Sequence, residues 1–123
     1  MTEQRQIFVV EDDEAVRAST RTLLQAQGYS VREFADAESF LAATEGRDAG
    51  CIVLDHNLAG LSGLELVELL RARGVTTPVI VVSGNGRQLQ ARAAKSGVAA
   101  FLRKPLAADD LLDWLERIFS TAD

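Results

Sequence analysis

Lysine is scarce in this chain: Lys95 and Lys104 are the only two among thirteen basic residues. Lys104 stands beside Pro105, shortly after the apolar stretch Ala99-Ala100-Phe101-Leu102. Acidic residues gather as Glu11-Asp12-Asp13-Glu14 directly behind the run Ile7-Phe8-Val9-Val10, and a single aspartate, Asp55, follows Cys51-Ile52-Val53-Leu54. A polar group, Ser83-Gly84-Asn85-Gly86, follows Val79-Ile80-Val81-Val82. Carboxylates brought together from such run ends repel, by about 4 kcal/mol for two unit charges 4 Å apart at an effective dielectric of 20. A tolerated cluster therefore needs protons, a cation or a lysine. Hard oxygen donors with no companion His or Cys pattern suit Mg²⁺, which takes one or two carboxylates plus waters and phosphate oxygens. Lys104, a compact charge on a flexible stem, suits a carboxylate or phosphate oxygen.

The runs that end in these groups are short, continuous and mostly β-branched, the pattern of parallel strands buried on both faces. Tyr29-Ser30-Val31-Arg32-Glu33-Phe34 alternates more and reads as a strand nearer an edge; Ala99 to Leu102 is a weaker fifth strand. Between them lie helical patterns. Val16, Thr20, Leu23, Leu24 and Gln27 share a face, with Gly28 placed to end the helix. A second helix covers Ala37 to Thr44. The third has Ser62 as N-cap and Glu65 at capping-box spacing, and stops near Gly74. The fourth, about Gln88 to Ser96, is poor in large apolar residues. The last carries Leu111, Leu112, Leu115, Ile118 and Phe119 on one stripe. This is a (βα)5 pattern, and right-handed crossovers place helices on both faces of one parallel sheet. The expected architecture is one doubly wound α/β domain over residues 1–123, its core about 5–120. In such sheets ligands bind outside the carboxyl ends of the strands, where four of the five runs here deliver polar groups.

Composition narrows the class further. The chain has 123 residues, 47% hydrophobic and 25% charged, enough for one unstapled core. Its one cysteine, Cys51, excludes an internal disulfide framework and reads as a buried apolar residue opening a strand, which suits a reducing cytoplasm. No apolar run approaches the roughly 18 residues of a membrane span, and the N-terminus lacks a secretory pattern. A net charge of -5 disfavours direct nucleic-acid binding. Asp13 and Glu14 read first as caps of the first helix, favoured by its dipole; Asp55 does not, because the next helix starts only near Ser62. His56 is the only histidine. It directly follows Asp55 and could tune its chemistry or donor recognition, but strand alternation turns it away, and His56 reads first as an incidental exposed residue. Trp114 lies at the margin of the last helix's stripe, as core edge or as part of a partner surface.

Taken together and in order, Val9-Val10-Glu11-Asp12-Asp13, Val53-Leu54-Asp55, Gly60-Leu61-Ser62-Gly63, Val82-Ser83-Gly84 and Lys104-Pro105 resemble the receiver domain of two-component response regulators over nearly the whole chain. Val82 to Gly86 and Leu61 to Glu65 look most like the FixJ subgroup. The resemblance implies a flavodoxin-like sheet of strand order 2-1-3-4-5, an order the family is known for. It implies that Asp55 is the phosphoacceptor, attacking phosphorus as a carboxylate nucleophile, and that Asp12 binds Mg²⁺ directly. Glu11 then acts through a metal-bound water, and Asn57 lends its main-chain carbonyl. Lys104 steadies a phosphoryl oxygen, Ser83 hydrogen-bonds the phosphoryl group, and Ser83 and Phe101 form the switch. A cis Lys104-Pro105 bond is also implied. So is a cytoplasmic signalling switch, with slow self-phosphorylation and dephosphorylation rather than ordinary enzymatic turnover. Its donor is a sensor histidine kinase or a histidine phosphotransfer protein. The output partner is not identified, and a phosphorylation-dependent dimer is compatible with the family.

Two departures from the family pattern stand out. Ala59 replaces the usual proline, which suggests a looser loop after Asp55. The interval from Ser83 to Lys104 is one residue shorter than expected, and the shortfall lies before Gly97, in the fourth helix or its entry loop. It reads equally as a short or mobile fourth helix with an atypical output face and as simple loop variation. Asn57 and Asn85 flank the expected mouth of the site, where their side chains can position a hydrolytic water. Three rivals remain: a receiver-like module that never accepts phosphate, a flavin-binding electron carrier, and an aspartate-dependent phosphohydrolase. The acidic first loop repels a flavin phosphate, and the chain has no room for a hydrolase cap domain.

Overall fold

Burial of both sheet faces dictates the observed layering. The computed structural model describes residues 5–84 and 86–121. The elements alternate as β1 (Gln6–Val10), α1 (Glu14–Ala26), β2 (Ser30–Phe34), α2 (Ala37–Thr44), β3 (Cys51–Asp55), α3 (Gly63–Ala72), β4 (Val79–Ser83), α4 (Gly86–Ser96), β5 (Ala100–Arg103) and α5 (Ala108–Thr121). All strand pairs are parallel, in the order β2-β1-β3-β4-β5. Every residue of β3 and β4 is buried, as expected of central parallel strands covered on both sides. β2, the alternating segment, is an edge.

Side-chain alternation sorts the core into two layers. Phe8, Val10, Ile52, Leu54, Val79 and Val81 turn to one face and pack with Phe40 of α2, Leu66 and Leu70 of α3, and Ala93 of α4. Ile7, Val9, Cys51, Val53, Ile80 and Val82 turn to the other, against Leu24 of α1 and Leu111 and Leu115 of α5. Cys51 is fully buried, which pushes its thiol up to about 12 and leaves it an inert packing group. Trp114 packs at the margin of the second layer, with the Arg117 guanidinium 5.0 Å from its ring centre.

The caps follow local chemistry. Asp13 accepts a hydrogen bond from Val16 N at the start of α1, and Ser62 and Glu65 form the full capping box of α3. Gly28, at φ +89°, follows the last turn of α1 in the left-handed region that glycine enters freely. The expected second helix has the observed bounds, while β5 runs one residue later than read from sequence, over Ala100–Arg103.

The fourth helix is a correction. α4 is not short: it spans 11 residues against 10 in α3. Polar ties replace the missing large apolar residues. Arg92 grips Glu68 of α3 through Nε at 3.0 Å and Nη2 at 2.9 Å, and the Ser96 hydroxyl donates to the same carboxylate at 3.1 Å. Among the described residues, no helix is long and apolar enough to cross a membrane.

At Gly63 the close approach of α3 to the end of β3 leaves no room for a side chain. A Cβ there would lie 2.6 Å from His56 Cα and 2.8 Å from the Asp55 carbonyl oxygen. Those neighbours are main chain and cannot swing aside. Gly63→Ala is therefore expected to lower unfolding stability by about 1–3 kcal/mol in urea titration. An unchanged midpoint would mean that α3 is not seated on the β3 terminus in this way.

Candidate functional site

Four strands deliver the polar groups to one edge of the sheet. Register pairs Val10 with Leu54 and Asp55 with Val82, and Ser83 with Arg103, so the ends of β1, β3, β4 and β5 lie side by side. One carboxylate oxygen from each of Glu11, Asp12 and Asp55 falls within 4.8 Å of the others. Glu11 and Asp55 are buried, at 7% and 3% exposure, while Asp12 is open to solvent. Lys104 reaches in from the end of β5, its Nζ 3.0 Å from Asp55 Oδ1. The Lys104-Pro105 peptide bond is cis, as the resemblance implied.

Each group is held by its backbone neighbours. Asp55 Oδ1 also accepts from Asn57 N at 3.2 Å, so the residue after next is drawn back over the carboxylate. Asn57 itself is exposed. Glu11 Oε2 accepts from Asp13 N at 3.1 Å, and Glu11 N donates to Phe34 O at 3.0 Å. Ser83 ends β4 fully buried, and its carbonyl accepts from Lys104 N at 3.0 Å. That bond ties the hydroxyl-bearing residue to the lysine. Phe101, on β5, is partly buried against the core layer beneath α2, α3 and α4. Asn85 lies outside the described residues.

Electrostatics follow from this crowding. Burial pushes the Glu11 carboxyl up to about 7; the bond from the Asp13 amide opposes this, the charge of and hydrogen bond to Asp55 add to it, and the Lys104 charge again opposes it. Burial also works against the Lys104 ammonium, but the hydrogen bond and charge of Asp55, with the charges of Glu11 and Asp12, prevail and raise its pKa above the ordinary lysine value. A divalent cation fits this donor set: three carboxylates and no nitrogen or sulfur ligand, the chemistry of Mg²⁺.

Two features differ from the reading of the sequence alone. His56 is not an incidental exposed residue. It is half-buried, and its Nδ1 accepts from Leu64 N at 3.3 Å while its carbonyl accepts from Gly63 N at 2.9 Å. His56 thus satisfies two of the otherwise unpaired donors at the start of α3. Burial, then the Arg92 charge, lower its pKa against the pull of Asp55 and Glu65, favouring the neutral ring that can accept. The loop bearing Ala59 is tied where looseness was expected, by Leu58 N donating to His56 O at 3.1 Å as well as by the Asn57 and Gly63 bonds. Missed altogether was Arg17 of α1, whose Nη1 donates to Glu11 O at 2.7 Å. Nothing in a one-dimensional pattern marks such a contact.

A cavity of about 440 Å³ adjoins the cluster, lined by Glu11, Asp55 and Lys104 together with Val16, Ser19 and Leu106. Val16 is 44% exposed at its rim. The site therefore couples a charged floor to an apolar wall between α1 and the start of α5.

Comparison with known proteins gives the family and the fold. The FixJ transcriptional regulatory protein of Bradyrhizobium diazoefficiens is 36% identical over 124 residues, covering 100% of this chain and 60% of that protein. FixJ of Azorhizobium caulinodans is 44% identical over 106 residues, covering 85% of this chain and 50% of that one. The chain thus spans about half to three-fifths of these relatives' length. Among solved structures, the FixJ-N structure superposes with a TM-score of 0.85 at 30% identity, covering 96% of this chain and 94% of that one. The receiver domain of Francisella response regulator 1452 superposes at 0.90 with 24% identity, covering 98% and 100%, a likeness of fold. Residues 7–116 match the response regulator receiver domain family, and the chain belongs to that family.

Proposed function

We propose that this protein takes a phosphoryl group onto Asp55 in a Mg²⁺-dependent reaction and uses the added charge to switch a partner or output domain. The observation that carries this reading is the carboxylate triad within 4.8 Å, with Lys104 Nζ 3.0 Å from Asp55 Oδ1. Asp12 and Asp55 would bind the cation with their carboxylates, Asn57 with its main-chain carbonyl, and Glu11 through a bound water. When bound, Mg²⁺ neutralises charge on the cluster and on the transferring phosphoryl group.

The chain's own residues do the rest. The Asp55 carboxylate attacks phosphorus as its bond to the donor breaks, and a phosphohistidine donor takes up a proton as it leaves. Phosphoryl transfer asks a protein mainly for positioning and charge neutralisation, and Lys104 supplies both beside Asp55. Ser83 and Phe101 then read the new group: the buried hydroxyl end of β4 moves toward it, and the aromatic ring on β5 follows. Such a switch biases an existing equilibrium, and moving it from 1:99 to 99:1 takes about 5.5 kcal/mol. A held dianion can supply that.

Receiver domains are signalling switches rather than ordinary enzymes, and they accept phosphate from histidine kinases. For this chain a sensor histidine kinase or a histidine phosphotransfer protein is the proposed donor, meeting Asp55 from the cavity side. The cytoplasm is the proposed setting, without direct nucleic-acid or membrane contact by this domain, and the phosphorylated form is a candidate dimer. Slow self-phosphorylation and self-dephosphorylation complete the cycle.

Incubation with Mg²⁺ and acetyl phosphate, followed by intact-mass measurement, should add one phosphoryl group, lost in Asp55→Ala and when Mg²⁺ is chelated. An adduct that persists in Asp55→Ala would place the chemistry elsewhere.

Glu11 generates a second expectation. Its carboxyl must lose a proton held up to about pH 7 before it can serve a cation, so Mg²⁺ affinity should rise with pH through that value. Glu11→Gln should flatten this profile. Without Mg²⁺ the sign for stability is the opposite. The folded state holds the extra proton between about pH 4.5 and 7, so unfolding free energy contributed by Glu11 falls as pH rises through that window. Paired urea titrations at pH 5 and pH 8, wild type against Glu11→Gln, measure it. A larger pH-dependent loss in Glu11→Gln than in wild type would contradict the assignment.

A further inference from the structure

A cation site built from a loop depends on what holds the loop, and here β1 leads directly into the two acids that must present themselves to the metal. Glu11 is gripped on both sides of its main chain. Its N–H donates to Phe34 O of β2 at 3.0 Å, the last rung of that edge pairing. Its carbonyl accepts from Arg17 Nη1 at 2.7 Å, a short charge-assisted bond from one turn into α1. Arg17 is itself oriented from the far side, where its Nε lies 3.2 Å from Glu33 Oε1 of β2. Its side chain is only 15% exposed, and Glu33's is 28% exposed. The other Glu33 oxygen bonds Arg21, one turn further along α1. The planar guanidinium thus spans two partners that a lysine's point charge cannot hold together.

We propose that Arg17 is a positioning residue for the metal site, a clamp that pins the Glu11 carbonyl so that the Glu11 and Asp12 carboxylates face Asp55. This rests on the Mg²⁺ reading above. Glu33 has two parts in the clamp: it fixes the rotamer of Arg17, and its negative charge offsets the arginine so that the clamp does not repel the cation it serves. Partners behind metal ligands typically change affinity by 10–100-fold when removed. Arg17 acts one step further back, through the main chain of a residue that meets the metal through water, so an effect of about tenfold is expected, the lower end of that range.

Arg21 provides the internal control, because it shares the Glu33 carboxylate but makes no recorded bond to Glu11. Mg²⁺ binding should be measured by isothermal titration calorimetry at pH 8 on wild type, Arg17→Met, Arg17→Lys and Arg21→Met, each first shown to be folded by its amide NMR spectrum and thermal midpoint. Arg17→Met keeps the apolar stem and loses both donors. The expected result is a Kd about tenfold weaker for Arg17→Met, partial recovery in Arg17→Lys, and a Kd within about twofold of wild type for Arg21→Met. The Asp13 amide resonance, which reports the Glu11 carboxylate bond, should move in Arg17→Met and stay in Arg21→Met. Wild-type affinity in folded Arg17→Met would overturn the clamp while leaving the metal reading intact. Equal weakening in both Met variants would also overturn it, since only general stability would then matter. Absence of Mg²⁺ binding in wild type itself would overturn the metal reading and the clamp with it.

Discussion

Three carboxylates with oxygens inside 4.8 Å of one another cannot all carry full charge without relief, and the structure provides it in three different ways. Glu11, buried, keeps its proton up to about pH 7. Asp55, the most buried, is paired with Lys104 at 3.0 Å. Asp12 stays in water, where solvation does the work. Each remedy is reversible. On the proposed function, a divalent cation would displace the proton of Glu11, a phosphoryl group would take the lysine from Asp55, and Asp12, open to solvent, would meet the cation directly. The resting cluster is therefore held by a proton and an ammonium, which the proposed cation and phosphoryl group would replace.

The fold supplies the rigidity that this exchange requires. β3 and β4 are buried along their whole length, so Asp55 and Ser83 stand at the ends of the two fully buried strands. The elements around them are tied by polar contacts as well as by packing. His56 and Gly63 lock α3 to the end of β3, and Arg92 and Ser96 bind α4 to α3 through Glu68. Arg71 of α3 reaches the carbonyls of Val75, Thr77 and Gly97, joining the far ends of α3 and α4 to the loops that lead into β4 and β5. On the proposed function, a charge change at Asp55 would reach Ser83 through the Lys104 main chain, whose N–H is bonded to the Ser83 carbonyl.

Much of this was legible beforehand because the relevant signals are local. Continuous β-branched runs reveal buried strands, Ser62 and Glu65 announce a helix start, and an aspartate ending an apolar strand is hard to explain by packing. The contacts that escaped are long-range and polar. Arg17 is one of two arginines on an amphipathic helix, and its bond to Glu11 depends on a rotamer set by Glu33 on β2. For His56, strand alternation carries no sign of a partner. Its role as an acceptor for Leu64 N depends on how closely α3 approaches, which Gly63 permits. The fourth helix looked weak because its apolar residues are few; besides Ala93 in the core, it is tied to α3 by a guanidinium–carboxylate pair that hydrophobic periodicity does not register.

The central claim is that charge placed on Asp55 is read by Ser83 and Phe101 through β4 and β5. Beryllofluoride, a phosphoryl mimic that needs the carboxylate and Mg²⁺ together, allows this to be tested without a donor. Amide NMR spectra should be compared for the free protein, with Mg²⁺ alone, and with Mg²⁺ and beryllofluoride. The account predicts that Mg²⁺ alone moves resonances of the Glu11–Asp12 loop and Asn57, whereas the full mimic also moves Ser83, Phe101 and Lys104. Mimic-induced changes confined to the acidic loop, with Ser83 and Phe101 unmoved, would contradict it.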